Sequence, residues 1–189
     1  MRGLGAPVLV SKRRMGILYV TRFKSSIGEL TLASSEKGLA YVGLPRASGR
    51  GLMGWSRRHA PDEVLEEAPE AHREVIEQLT QFVAGEREVF ELSLDLRATP
   101  FQLDVYGIVS QIPYGESVSY SEVARCAGRA AAVRAVGAAN AANPIPLVIP
   151  CHRVVASDGQ LQGYAGGLEL KAQLLAMESS SHPAQGALF

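Results

Sequence analysis

The sequence predicts an α+β chain, with a strand-rich first half followed by a helical half that contains a helix-turn-helix. Three observations carry this. Apolar residues alternate between Ile17 and Val42, the period of half-buried strands. Near Thr99-Pro100 the charge thins out: residues 1–97 hold 14 basic and 13 acidic groups, residues 98–189 only 5 and 6. Two short helical patterns then meet at Gly128, a residue suited to a helix C-terminus.

The elements follow in order. Ile17-Leu18-Tyr19-Val20 opens a strand, and Ser26-Ile27-Gly28 turns it. Leu30, Leu32, Leu39 and Tyr41 continue the alternation around a hairpin turn at Glu36-Lys37-Gly38. Residues 45–62, with Pro, Gly, Ser and Arg, read as a loop anchored by Trp55. From Glu63 to Val83 the apolar positions, Val64 and Leu65 included, read as a helix ending at Gly85. Phe90, Leu92, Leu94 and Leu96 alternate as one face of a strand.

Beyond the change near residue 98, Phe101 to Ile112 reads as a helix broken by Pro113-Tyr114-Gly115. Ser119 to Glu122 is a capping-box pattern starting a helix that stops at Gly128, with Cys126 expected inside as a small hydrophobe. The next helix, about Ala130 to Ala142, is nearly bare: Ala135, Gly137, Ala138 and Ala139 supply almost no bulk, and Arg134 is its one charge. Such a helix fills a core badly but lies closely against another surface, either a second helix or a nucleic-acid groove. The organisation expected is a lead over 1–16, a first domain over 17–97, a second over 98–178 and a flexible tail over 179–189. The lead leaves either Met1 or Met15 as the start.

Composition bounds the function. In 189 residues, 47% are apolar and 20% charged, enough for a packed core. With 19 basic against 19 acidic residues, net charge announces no nucleic-acid partner, so any DNA contact is local. Two cysteines make no disulfide framework, no membrane-length apolar run exists and no secretory signal is read; a reducing cytoplasmic location is expected.

The segment from Asn143 to Val155 carries the chemistry. Pro144, Pro146 and Pro150 make a stiff, non-helical arm that presents Cys151 with His152 beside it. A thiolate is a nucleophile, a histidine can take its proton, and the histidine needs a third group to orient it. Glu178 is the candidate for that carboxylate.

Asn143-Pro144 with Ile149-Pro150-Cys151-His152-Arg153-Val154-Val155 resembles the active-site motif of the O6-alkylguanine-DNA alkyltransferases, also called methylated-DNA–protein-cysteine methyltransferases. The resemblance runs from Thr99 to Glu178. It includes Pro113-Tyr114-Gly115, Ser119-Tyr120, Arg134-Ala135-Val136-Gly137, Gly159, Tyr164, Gly166-Gly167-Leu168, Lys171, Leu174-Leu175 and Glu178. It implies a ribonuclease-H-like first domain and a winged-helix-like second domain with the helix-turn-helix.

The resemblance further implies direct-reversal DNA repair, with one alkyl group moved from flipped O6-alkylguanine in duplex DNA to Cys151 per protein molecule. His152 would take the thiol proton through a water, Glu178 would polarise His152, and Asn143 would hold the turn. Tyr120 would protonate the leaving guanine and crowd the 3′ phosphate. Arg134 would fill the gap in the stack, beside Ala135 and Gly137. Tyr164, Val154 and Ala165 would line the guanine pocket.

This chain also departs from the family. Ala165 stands where many members have serine, so one contact to O6 is expected to be absent. Some members bind zinc in the first domain; here that region has His59 and His72 but no cysteine, so no metal and no cofactor are expected.

Three other readings have distinguishing features. A lesion sensor would flip the base and need no thiolate. A Cys-His hydrolase would separate the two residues in sequence. A sequence-specific repressor would carry more base-reading side chains than this helix offers. A monomer is expected. The terminal Gln185-Gly186-Ala187-Leu188-Phe189 resembles the short peptides by which bacterial repair proteins dock on the sliding clamp.

Overall fold

A computed structural model describes residues 16–47 and 51–181. The alternative starts at Met1 and Met15 and the clamp-like peptide Gln185–Phe189 lie outside the described residues. Strands β1 (Ile17–Ser25), β2 (Gly28–Ser35) and β3 (Gly38–Gly43) form an antiparallel meander. The turns fall at the two expected places. At the second, Gly38 has φ +135°, and a Cβ there would lie 2.2 Å from the Ser93 carbonyl oxygen, so only glycine fits.

β4 (Val64–Glu67) pairs parallel with β1, giving a mixed sheet in the order β3-β2-β1-β4. The helix predicted from Glu63 therefore begins later, as α2 (Arg73–Val83). Val64 and Leu65 are claimed by an edge pairing that local periodicity does not register. Another correction is α1 (Gly51–His59), which replaces the middle of the predicted 45–62 loop. It docks on β3 through Trp55, whose ring lies 5.4 Å from that of Tyr41. Helix α1 is stabilised by this tertiary contact despite two poor helix formers, Gly51 and Gly54.

The stretch Phe90–Leu96 is not a full strand. Only Leu94 bridges, to Leu39, with Leu39 N–H donating to Ser93 O (2.9 Å) and Asp95 N–H to Leu39 O (2.8 Å). Its alternation still packs Phe90, Leu92, Leu94 and Leu96 against the core. Arg97 fastens the end of this stretch to Glu63 (2.8 Å) and Asp95 (2.6 Å).

The second half opens with α3 (Pro100–Val109), shorter than the predicted Phe101–Ile112. It is capped by Thr99, whose hydroxyl accepts from Gln102 N while the Gln102 side chain accepts from Thr99 N. Next come β5 (Val118–Ser119), α4 (Tyr120–Cys126), α5 (Val133–Ala141), β6 (Val154–Val155) and α6 (Leu168–Ser181). Helices α3, α4 and α5 pack together over Val105, Tyr106, Val123 and Val136.

Ser119 accepts from Glu122 N (3.1 Å), but the Glu122 carboxylate pairs with Arg125 rather than closing the capping box. Gly128, at φ +68°, ends this region, and a 3-10 turn over Ala130–Ala132 precedes α5. Cys126 is exposed, not buried. The inward face of α4 is Val123 and Ala124, and a residue two positions past Ala124 points to the other side. α6 continues to Ser181, so residues 179–181, expected in a flexible tail, are helical.

One apolar cluster crosses residue 98. Leu32, Leu79 and Phe82 from the first half join Val105, Ile149 and Leu174 from the second.

Candidate active site

Local sequence dictates how the arm is built. After α5 the chain runs buried through Asn143, Pro144, Ile145, Pro146 and Leu147. Asn143 closes it on itself: its Nδ2 donates to Ile149 O (2.8 Å) and its Oδ1 accepts from Ile145 N (3.0 Å). Pro144 O accepts from Val42 N (2.8 Å), tying the arm to the sheet edge. Leu147 adopts φ +76°, an unfavourable conformation for a branched residue, held by these contacts. The arm delivers a 3-10 turn, Cys151–Arg153, in which all three side chains are buried.

α6 meets this turn. Lys171 and Glu178 are seven residues apart, two helical turns, so both project from the same inward face as Leu170 and Leu174. His152 and Glu178 are both fully buried, and His152 Nε2 lies 2.8 Å from Glu178 Oε1. Arg153 completes the cluster, donating Nε to Glu178 Oε2 (2.9 Å), Nη2 to Oε1 (3.0 Å) and Nη1 to Ile112 O (2.7 Å). Gly115 N–H adds a fourth donor to the carboxylate at 3.2 Å.

Burial opposes the charge of Glu178, but the hydrogen bonds and charges of His152 and Arg153 outweigh it and hold the carboxyl below its ordinary range. Burial lowers His152 against the pull of Glu178, so the imidazole is neutral at pH 7. With Nε2 engaged by the carboxylate, Nδ1 is the basic nitrogen, and it is buried with no protein partner among the described residues.

The Cys151 thiol is 3% exposed and is pushed up to about 11 by burial, against the lowering effects of Asn143, Lys171 and its own backbone. The resting sulfur is therefore a thiol, and its proton must leave as it reacts. Lys171 is fully buried, donates Nζ to Val154 O (2.6 Å) and Gln162 O (2.7 Å), and is pushed down to about 8 by burial. Its charge favours the thiolate.

Parallel pairing of β5 with β6, Val118 to Val154 and Ser119 to Val155, fixes Tyr120 next to the cysteine turn. Tyr120 donates its hydroxyl to Gln162 O (3.0 Å), and Lys171 Nζ lies 5.7 Å from its ring centre. Tyr164 lies behind His152, ring centres 6.4 Å apart, with its hydroxyl buried and without a protein partner among the described residues. Val154 is buried, and Ala165 is half-buried.

α5 shows Arg134 and Ala135 to solvent. A Cβ added at Gly137 would meet nothing within 4 Å, so internal packing does not require the missing side chain. His59 and His72 lie apart from this site: His59 stacks on Trp55 (5.6 Å), and His72 sits between Thr21 (2.8 Å) and Ser34 (3.0 Å).

The structure thus gathers Cys151, His152, Glu178, Asn143, Tyr120, Tyr164 and Val154 around one turn, with Arg134, Ala135 and Gly137 on the helix that leads into it. Sequence reasoning assigned no role to Arg153, Lys171 or Asn140, whose Nδ2 donates to Cys151 O (3.1 Å). The available signal was their rarity: Arg153 and Lys171 are two of only five basic residues after residue 97. In so charge-poor a half, each cation has reason to be paired.

Residues 100–180 match the family described as 6-O-methylguanine DNA methyltransferase, DNA binding domain. The chain is 40% identical over 163 residues to a methylated-DNA–protein-cysteine methyltransferase of Methanosarcina acetivorans, covering 86% of this chain and 99% of that one. It is 42% identical to the Mycolicibacterium paratuberculosis protein of the same name, covering 87% and 94%. The fold matches a crystal structure of Mycobacterium tuberculosis OGT in complex with DNA at TM-score 0.74 and 37% identity, over 88% of this chain and 96% of that one. Identity at this level, across nearly the whole length of such relatives, establishes that the chain belongs to the methylated-DNA–protein-cysteine methyltransferase family.

Proposed function

We propose that Cys151 is the sulfur that accepts the alkyl group, and that each molecule accepts it once. The protein is an O6-methylguanine-DNA methyltransferase, an α+β chain that binds DNA and repairs it by direct methyl transfer to cysteine. The observation that carries the assignment to Cys151 is the buried pairing of its neighbour His152 with Glu178 at 2.8 Å.

The chemistry proceeds from that geometry. The methyl carbon of O6-methylguanine lies inside the duplex, so the nucleotide must leave the stack, at about a few kcal/mol. Arg134 fills the gap, and the bare α5 surface, including Ala135 and Gly137, permits close approach. The guanine is held against Tyr164, Val154 and Ala165. The thiol proton passes through a water to Nδ1 of His152, and Glu178 stabilises the resulting imidazolium. Sulfur attacks the methyl carbon, an S–C bond forms, the C–O6 bond breaks, and the electron pair stays on the guanine. Tyr120 supplies a proton to that leaving base. The product is a thioether, which thiol exchange does not reverse.

The finer architecture in this reading is a ribonuclease-H-like unit over 17–97 and a winged-helix-like unit over 98–178, with α4, the turn at Gly128 and α5 as the helix-turn-helix. The chain works as a monomer in the cytoplasm, and its last five residues are a candidate clamp-docking peptide.

Two expected results test this. Titrating a duplex containing O6-methylguanine with protein restores guanine up to one equivalent and then stops; continued turnover contradicts a suicide acceptor. Gly137→Leu is expected to leave the melting temperature unchanged or higher, since glycine costs a helix about 0.5–1 kcal/mol, while weakening duplex binding at least tenfold by steric exclusion. Undiminished binding removes α5 from the interface.

A further inference from the structure

We propose that Phe82, on α2 of the first half, is a positioning residue that holds the His152 imidazole in the orientation the proton transfer needs; this rests on the transfer reading above. His152 is fully buried, with Nε2 on Glu178 Oε1 at 2.8 Å. One hydrogen bond fixes one atom of a ring, and the ring can still tilt about it. Tilting moves Nδ1, the nitrogen that receives the thiol proton.

Two aromatic rings restrict that tilt. The Phe82 ring centre lies 6.2 Å from that of His152 with the planes at 65°, and Tyr164 lies 6.4 Å away at 75°. Both are edge-to-face contacts, within the range of about 4.5–7 Å in which such pairs attract. Tyr164 follows the cysteine turn in the second half. Phe82 comes from the other side of residue 98, so the first half supplies part of the wall around the proton acceptor.

Phe82 is itself braced. It is fully buried, and the Phe90 ring packs on it at 5.0 Å. Gln78, buried one turn earlier on α2, clamps the residue after Phe90: its Nε2 donates to Glu91 O (3.2 Å) and its Oε1 accepts from Glu91 N (2.9 Å). Phe82 also meets Tyr114, ring centres 6.1 Å apart and planes at 88°, and the Arg153 guanidinium lies 5.5 Å from the Tyr114 ring centre. Arg153 in turn holds Glu178. Phe82 thus supports the imidazole directly, and its effect on the reaction is exerted through His152.

The test compares wild type, Phe82→Leu and Leu18→Ala in single-turnover transfer from an O6-methylguanine duplex. Leu18 is fully buried in a separate apolar cluster with Ala40 and Ala60, so its truncation removes comparable core volume from the first half away from His152. Both variants should melt below wild type. At saturating DNA, Phe82→Leu should be about three- to tenfold slower, the size of one aromatic pair contact, with duplex affinity changed less than about twofold. Leu18→Ala should transfer within about twofold of wild type. Imidazole nitrogen NMR signals of the free proteins read the ring itself. His152 should show the single Nε2–H tautomer in wild type and Leu18→Ala, and a mixture in Phe82→Leu.

Where either variant melts below the assay temperature, Phe82→Met, which fills nearly the same space without a ring, and Leu18→Val carry the same comparison. An unchanged rate in Phe82→Leu, an equal loss in the Leu18 variant, or an unchanged tautomer overturns the proposal. A wild-type chain that leaves the methyl group on DNA overturns the transfer reading instead, while the tautomer comparison still judges Phe82.

Discussion

Replacing Glu178 by leucine is expected to destabilise the protein by about 3–5 kcal/mol, because it leaves a buried guanidinium without its counter-charge. Arg153 directs two of its nitrogens at this carboxylate, at 2.9 and 3.0 Å, and only Nη1 has another acceptor, Ile112 O. Domains commonly have only about 5–15 kcal/mol to lose, so the variant should melt far below wild type. Glu178→Gln separates fold from chemistry. The amide keeps the shape and one acceptor oxygen but not the charge that stabilises an imidazolium at His152. Its rate of methyl transfer should fall about 10²–10⁴-fold, the usual contribution of a general base. Urea denaturation and single-turnover kinetics measure the two effects. A glutamine variant with wild-type rate would show that the carboxylate serves only the fold.

The acid dependence of stability has the same origin. The carboxyl of Glu178 is depressed in the fold, so its contribution is fully present above the unfolded value of about 4.3 and disappears as pH falls through the depressed value. His152 is lowered by burial, so the fold resists its protonation, and stability is also lost as pH falls below about 6.5. Both slopes favour neutral pH, and the leucine variant should lack the carboxylate component.

Cys151→Ser is expected to abolish transfer without unfolding the protein. Oxygen replaces sulfur in a site already lined by Asn143, and no ion pair is broken. A serine hydroxyl is a far weaker nucleophile toward carbon. The variant should still bind an O6-methylguanine duplex and hold it without product release. Binding retained with transfer lost assigns recognition and chemistry to different groups. Transfer retained would move the acceptor elsewhere, and Cys126, exposed on α4, is the other thiol.

What the sequence revealed was what lies close together along the chain. The proline-braced arm and its Cys-His pair form a continuous string, and the sheet's first three strands are linked by tight turns. Glu178 could be named as the candidate carboxylate, but its pairing with His152 follows from no local pattern, since 26 residues separate the two and only the packing of α6 on the cysteine turn joins them. Arg153, Lys171 and Asn140 were missed because their acceptors include carbonyls of remote segments: Ile112, Val154 with Gln162, and Cys151. No side-chain pattern announces a backbone acceptor. β4 was hidden for a related reason, as its partner β1 is more than 40 residues away and parallel. Helix α1 was hidden because its stability comes from the docking of Trp55 on β3 rather than from helix propensity.

The most direct measurement is the mass of the peptide bearing Cys151 after incubation with an O6-methylguanine duplex, with Cys151→Ser alongside. The wild-type peptide should gain one methyl group in proportion to the guanine restored, and the serine peptide should gain none. Restored guanine with an unmodified Cys151 peptide would contradict the account.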